Sequence, residues 1–355
     1  MGIEKFDKNF IIEKGNADGK TVYAIPHPAF ALHGVFYDKE NECFARLPFD
    51  VAQTVNEGVT ELSRHTSGGR LCFSTDAKSM QITATYRELW IMSHMPLTGS
   101  GSFTLCEVVD KKEQFIGNFM PISTDKEGFS ATLNLQGGGL KNYVLYFPLY
   151  NDVKSLFIGL DKGARVETYN PYRAVKPILY YGSSITQGGC ANRTDGAYQA
   201  LICKKNRVDF INLGFSGSAK GEDEMTDYLA SLDCSLFVCD YDHNAPTAAH
   251  LEATHFRLYE RYRKQRPNTP ILFITRPDWK RDTEGERRHQ IVKNTYSKAK
   301  KLGDDKVYFL SGKTFYGNKE PWEFAVDGCH PTDYGFRCMA DKIYKKMIAI
   351  HGDFQ

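Results

Sequence analysis

Along the first half of the chain, apolar and polar residues alternate with a period of two. In Phe129-Ser130-Ala131-Thr132-Leu133-Asn134-Leu135 every second residue is apolar, and segment 81–86 puts Ile82, Ala84 and Tyr86 on one side. That is the period of a strand with one face on a core. Segments 103–109, 142–149 and 155–160 are further strand candidates, with turn clusters at 98–102 and 136–139 between them. Many short strands with almost no helical period predict an antiparallel β-sandwich, of jelly-roll type. The alternation fades over 167–177, where Asn170-Pro171-Tyr172 and Lys176-Pro177 interrupt it.

Beyond Lys176 the period changes. Short apolar runs at 178–181, 208–213, 236–239, 271–275 and 307–310 are separated by longer segments with helical spacing. After Tyr334, for example, Phe336, Met339, Ala340, Ile343 and Met347 fall on one stripe. Strands alternating with helices predict a parallel sheet covered on both faces. The chain therefore divides into a sandwich over 1–170 and an α/β domain over 171–355, as its 355 residues also favour.

Composition removes several function classes. The 45 basic and 43 acidic residues are mixed along the chain and leave a net charge of +2. Nucleic acid and anionic membranes both need clustered Lys and Arg, so neither is an expected partner. The basic run at 298–301 lies on a periodic segment and is expected on a solvated helix face. No segment approaches the roughly 18 apolar residues of a membrane-spanning helix. The start, Met1-Gly2-Ile3-Glu4-Lys5-Phe6-Asp7, lacks the pattern of an export signal, which points to the cytoplasm. The sequon Asn192-Arg193-Thr194 then carries no meaning. The nine cysteines are odd in number, and Cys72, Cys106, Cys203, Cys234 and Cys239 lie in apolar runs. Without CxxC spacing or a nearby His cluster, they are expected reduced and buried, with no metal and no disulfide.

Candidate chemistry lies at the strand ends, because ligands of a parallel sheet sit beyond its carboxyl edge. After the first run comes Gly182-Ser183-Ser184-Ile185-Thr186-Gln187-Gly188-Gly189. A Ser on a Gly-flanked turn into a helix can be held exposed beside backbone N–H groups. After the second comes Asn212-Leu213-Gly214-Phe215-Ser216-Gly217-Ser218, which nearly spells a G-x-S-x-G elbow but ends in Ser218. Ser216 is accordingly set aside as nucleophile, and the loop is taken as a donor of backbone N–H. The third run leads into Asp240-Tyr241-Asp242-His243-Asn244-Ala245-Pro246. Near the end, Asp327-Gly328-Cys329-His330-Pro331 places a carboxylate three residues before an imidazole, where it can fix the tautomer. Each segment alone also fits a plain turn or helix start.

In this order, and together, the four blocks between Gly182 and Gly335 resemble the SGNH hydrolases, also called GDSL esterases or lipases. The resemblance implies a flavodoxin-like three-layer α/β/α fold. It implies Ser184 as nucleophile, His330 as base and Asp327 as its partner. The N–H groups of Ser184 and Gly217, with the Asn244 amide, would form the oxyanion hole. Two positions depart from the family pattern: Ser183 where Asp is usual, and Asp242-His243-Asn244-Ala245 where Gly-x-Asn-Asp is usual. His243 is then a candidate extra donor. No cofactor is implied. Two-domain members with a sandwich in front commonly deacetylate carbohydrates, so a small acyl group on an oligosaccharide is the expected substrate. Trp279 and Trp322, on loops expected to border the site, are candidate sugar platforms. The rival readings are a lysophospholipase or thioesterase of the same family, and a non-catalytic glycan-binding protein. A nucleotide site has no support, since neither G-x-G-x-x-G nor a P-loop motif occurs.

Overall fold

In a computed structural model, which describes residues 19–352, the period-two half forms two antiparallel sheets. The expectation drawn from Met1 to Asp7 lies outside these residues. One sheet has four strands in the order Lys20–Ile25, Ser155–Asp161, Ser79–Thr85 and Gly128–Asn134. The other has six, running Val166–Thr168, Arg70–Thr75, Lys141–Tyr146, Phe103–Val109 and Lys112–Phe119, with Ala31–His33 also on Arg70–Thr75. Between them Leu71, Phe73, Ile82, Phe103, Leu105, Tyr143, Leu156 and Ile158 form one apolar core.

The six-stranded sheet is buried on its second face too. Its alternate residues Cys72, Cys106, Val144 and Tyr146 join a different cluster, shared with Tyr180, Tyr198, Ile202 and Phe210 of the α/β half. Segment 70–75 therefore shows no in–out polarity; all six residues are buried. That is why it escapes a search for alternation.

The second half is a five-stranded parallel sheet in the order Phe210–Gly214, Ile178–Gly182, Leu236–Asp240, Ile271–Ile274, Val307–Leu310. This is the flavodoxin-like order 2-1-3-4-5. Successive residues of each strand feed opposite layers. Ile178, Tyr180, Val238 and Ile274 pack with helices Tyr198–Asn206 and Asp333–His351. Leu179, Tyr181, Phe237 and Phe273 pack with Asp223–Ser231, Ala248–Gln265 and Gly285–Lys301. The stripe Phe336, Met339, Ala340, Ile343 and Met347 is buried as expected, and Lys298, Lys300 and Lys301 are exposed. All nine cysteines are free, and eight are buried.

One expectation is corrected. The first half holds two short helices, Phe49–Val55 and Glu57–Leu62, whose Ala52, Val59 and Leu62 sit in the core of the α/β layer with Leu179 and Tyr181. Helices of two turns are too short to display a period of 3.6. The sandwich half thus supplies part of the second half's core.

Candidate active site

Ser184 opens the one-turn helix Ser184–Gln187 at the carboxyl end of the Ile178–Gly182 strand. The Ser183 hydroxyl caps it, accepting from Ile185 N at 3.2 Å, and Gly188 closes it at φ 105°. Gly182 is required here because a Cβ would fall 1.5 Å from Asp240 Oδ1. The buried Asp240 carboxyl accepts from the Thr186 hydroxyl and from Tyr198 Oη at 3.0 Å. Burial pushes it up to about 7, against the pull of those two hydroxyls.

Ser184 Oγ lies 2.8 Å from His330 Nε2, and His330 Nδ1 lies 2.7 Å from Asp327 Oδ2. Asp327 Oδ1 also accepts from the backbone N–H groups of Cys329 (3.0 Å) and His330 (2.8 Å). Burial alone would raise this carboxyl, but the His330 N–H, the imidazole and the Cys329 N–H together bring it down to about 2. The turn is held from outside as well. His243 Nε2 is 2.9 Å from Cys329 Sγ and 3.1 Å from Asp278 Oδ2, and Asp278 takes a two-pronged bond from Arg276. His243 is therefore bound to the support of the Asp327–His330 turn through the nitrogen that the sequence offered to a substrate.

The Gly214–Ser218 loop leans on the Ser184 helix. A Cβ on Gly214 would come 2.3 Å from Gln187 N and 2.6 Å from the Thr186 carbonyl carbon. Ser216 N is taken by Gln187 Oε1 at 3.0 Å, and Ser218 N by Phe215 O at 3.0 Å. Gly217, between them, is exposed at φ 67°, and no partner for its N–H occurs among the described residues. Asn244 Nδ2 donates to Phe215 O at 2.6 Å, which ties the third block to the second and leaves the other amide hydrogen uncommitted to this bond.

Sequence reasoning missed the residues that the sandwich half contributes. Buried Arg46 donates to His65 O (2.5 Å), Leu62 O (2.8 Å), Asn212 O (2.9 Å) and Gly214 O (2.8 Å), and its guanidinium lies over Phe215. Burial pulls its pKa down to about 9. Tyr150 donates to Ser184 O at 3.1 Å, and the His94 ring lies 5.8 Å from that of His330. Nothing in their local sequence marks these residues, because their neighbours lie more than a hundred positions away or in the other half.

Trp279 and Trp322 do come together, but around Lys280, whose Nζ is 5.3 Å and 6.0 Å from the two rings. Trp279 lines a cavity of about 270 Å³ with Lys313, Tyr316 and Lys319. Among the described residues, no recorded contact links either ring to Ser184, His330 or Asp327.

A parallel sheet with hydroxyl, imidazole and carboxylate aligned over its switch point defines a carboxylic ester hydrolase, and comparison with known proteins agrees. Residues 175–349 match the GDSL-like lipase/acylhydrolase family, and residues 23–166 match the N-terminal domain of SGNH hydrolase-type esterases. The chain belongs to this SGNH/GDSL family, in its two-domain form with a β-sandwich in front. Among solved structures, a protein of Bacteroides ovatus ATCC 8483 assigned to the GDSL-like lipases is 26% identical, with a TM-score of 0.84 over 93% of this chain and 98% of its own. An acetyl xylan esterase from the rumen bacterium Butyrivibrio proteoclasticus is 14% identical, with a TM-score of 0.62 over 95% and 100%. A family two carbohydrate esterase from Clostridium thermocellum, in complex with cellohexaose, is 16% identical, with a TM-score of 0.56 over 81% and 94%. Among curated proteins the sequence finds no match.

Proposed function

We propose that this esterase removes small acyl groups, acetyl above all, from carbohydrates through an acyl-enzyme on Ser184. The observation that carries the mechanism is the chain of two short hydrogen bonds, Ser184 to His330 to Asp327. A Ser hydroxyl needs an adjacent base to attack an ester at neutral pH. His330 takes the Oγ proton as Oγ bonds to the carbonyl carbon, then delivers it to the departing alcohol oxygen. Asp327 holds the imidazole and balances its charge. Water, activated by His330, attacks the acyl carbon in turn, and the carboxylic acid leaves as Ser184 regains its proton.

The tetrahedral oxyanion needs donors fixed in advance. Ser184 N–H belongs to the first helical turn, where N–H groups have no partner within the helix. The open Gly217 N–H and the second hydrogen of the Asn244 amide complete the set. For the carbohydrate alcohol, the support is the two-domain layout that the chain shares with the family two carbohydrate esterases and the acetyl xylan esterase.

The test is hydrolysis of 4-nitrophenyl esters from acetate to palmitate, beside acetylated xylo-oligosaccharides. The highest kcat/KM is expected on acetate among the synthetic esters, with turnover of the saccharide esters. Preference for octanoate over acetate would favour a lipase, and no hydrolysis of any ester would favour a glycan-binding protein.

A further inference from the structure

A second cavity, also about 270 Å³, lies in the sandwich half where it meets the active site. We propose that it is the subsite for a neutral sugar ring in the alcohol part of the ester, a proposal that rests on the carbohydrate reading above.

Its position is set by rings. His65 lines the cavity, and its ring meets those of Trp90 at 4.9 Å and Tyr150 at 6.1 Å. Tyr150 Oη reaches the Ser184 carbonyl, so a single aromatic layer separates the cavity from the nucleophile. The opposite wall is Trp90, four residues before His94, which stands beside the His330 ring. The segment that carries both residues therefore borders the cavity at one end and the catalytic base at the other.

The lining selects the ligand. Trp90 is 42% exposed in an otherwise polar wall, an aromatic face open to the C–H face of a sugar. The cations of the wall are matched: Arg64 lies 3.3 Å from Glu61, and Arg87 lies 3.4 Å from Asp152. Glu88 adds a further carboxylate. A phosphate or uronate would find no unmatched cation here, and an acyl chain would find few apolar atoms. Paired ions instead offer donors and acceptors side by side, which suits vicinal hydroxyls. The volume is just below the roughly 300 Å³ at which pockets for drug-sized ligands begin, so it takes one ring rather than a chain.

Trp90→Ala tests this without disturbing the fold, because only the Trp90 backbone N–H and C=O are bonded to Asn151. The measured quantity is kcat/KM on an acetylated xylo-oligosaccharide divided by kcat/KM on 4-nitrophenyl acetate. That ratio should fall at least about tenfold in Trp90→Ala, the scale of one lost aromatic face, and Trp90→Phe should restore most of it. An unchanged ratio overturns the subsite. If wild type cleaves no saccharide ester, the carbohydrate reading fails, and calorimetric titration with xylohexaose and cellohexaose decides the cavity separately. Binding to wild type that is lost in Trp90→Ala upholds it; equal binding, or none to either protein, overturns it.

Discussion

Ser184 and Ser216 lie on neighbouring turns, and only one of them has an imidazole within reach. Ser184→Ala and His330→Ala should each lower kcat on the order of 10⁴-fold or more, with the double variant little worse, since the two act as a unit. Asn244→Ala should lower kcat about a hundredfold with little change in KM, as expected for a donor to charge that develops in the transition state. Ser216→Ala should stay within about tenfold of wild type, because the loop supplies N–H groups rather than the nucleophile. Steady-state kinetics on 4-nitrophenyl acetate separates these cases. A dead Ser216→Ala beside an active Ser184→Ala would reverse the assignment. Asp240 carries a prediction of a different kind. Its native pKa, about 7, lies above the unfolded value of about 3.9, so the unfolded chain releases this proton first. Its contribution is therefore full below about pH 4 and is lost as pH rises towards about 7. Asp240→Asn removes the titration. Urea unfolding at both ends of that range should show a smaller loss for the variant; parallel curves would rule the effect out.

At the scale of elements, the active site depends on two loops touching a one-turn helix. Gly214→Ala forces a methyl group into the backbone at Thr186 and Gln187, where no side chain can swing aside. A destabilisation of about 1–3 kcal/mol is expected, as for other overpacked sites, together with a fall in kcat as the Gly217 loop is pushed away. Thermal unfolding and kinetics on one preparation check both. Arg46→Met leaves four buried carbonyls without their donor and should cost about 3 kcal/mol or more, at about 1–3 kcal/mol for each buried group left unpaired. The parallel strands and the last helix were legible because their apolar runs and stripes are long. The strand Arg70–Thr75 and the helices Phe49–Val55 and Glu57–Leu62 were not, being buried on both faces or too short for their period to register.

Across the whole molecule, the sandwich is part of the enzyme's interior. Arg70 reaches Asp209 at 3.0 Å and stacks on Phe210, and His33 reaches the same carboxylate at 2.8 Å. Ser67 Oγ donates to Gln187 O at 2.6 Å. A fragment beginning near Tyr172 would expose Tyr180, Tyr198 and Phe210 on one face and Leu179 and Tyr181 on the other. It should be insoluble or inactive on expression; a soluble fragment with full kcat would show that the sandwich is dispensable.

Local pattern in the sequence determined the two sheet types, the order of the four blocks and the nucleophile–base–acid set, because each rests on residues adjacent in the chain or on a period repeated within one element. The Asp327-to-His330 spacing is such a case: three residues suffice to place the carboxylate on the imidazole and on two N–H groups. The tertiary structure alone decided which half completes the site. Arg46, His65, Trp90, His94 and Tyr150 act across separations that no local period encodes. It also turned His243 towards Cys329 and gathered Trp279 and Trp322 around Lys280 rather than around Ser184. A loop's side chains point where packing leaves room for them, and that room exists only once both halves of the chain have folded against each other.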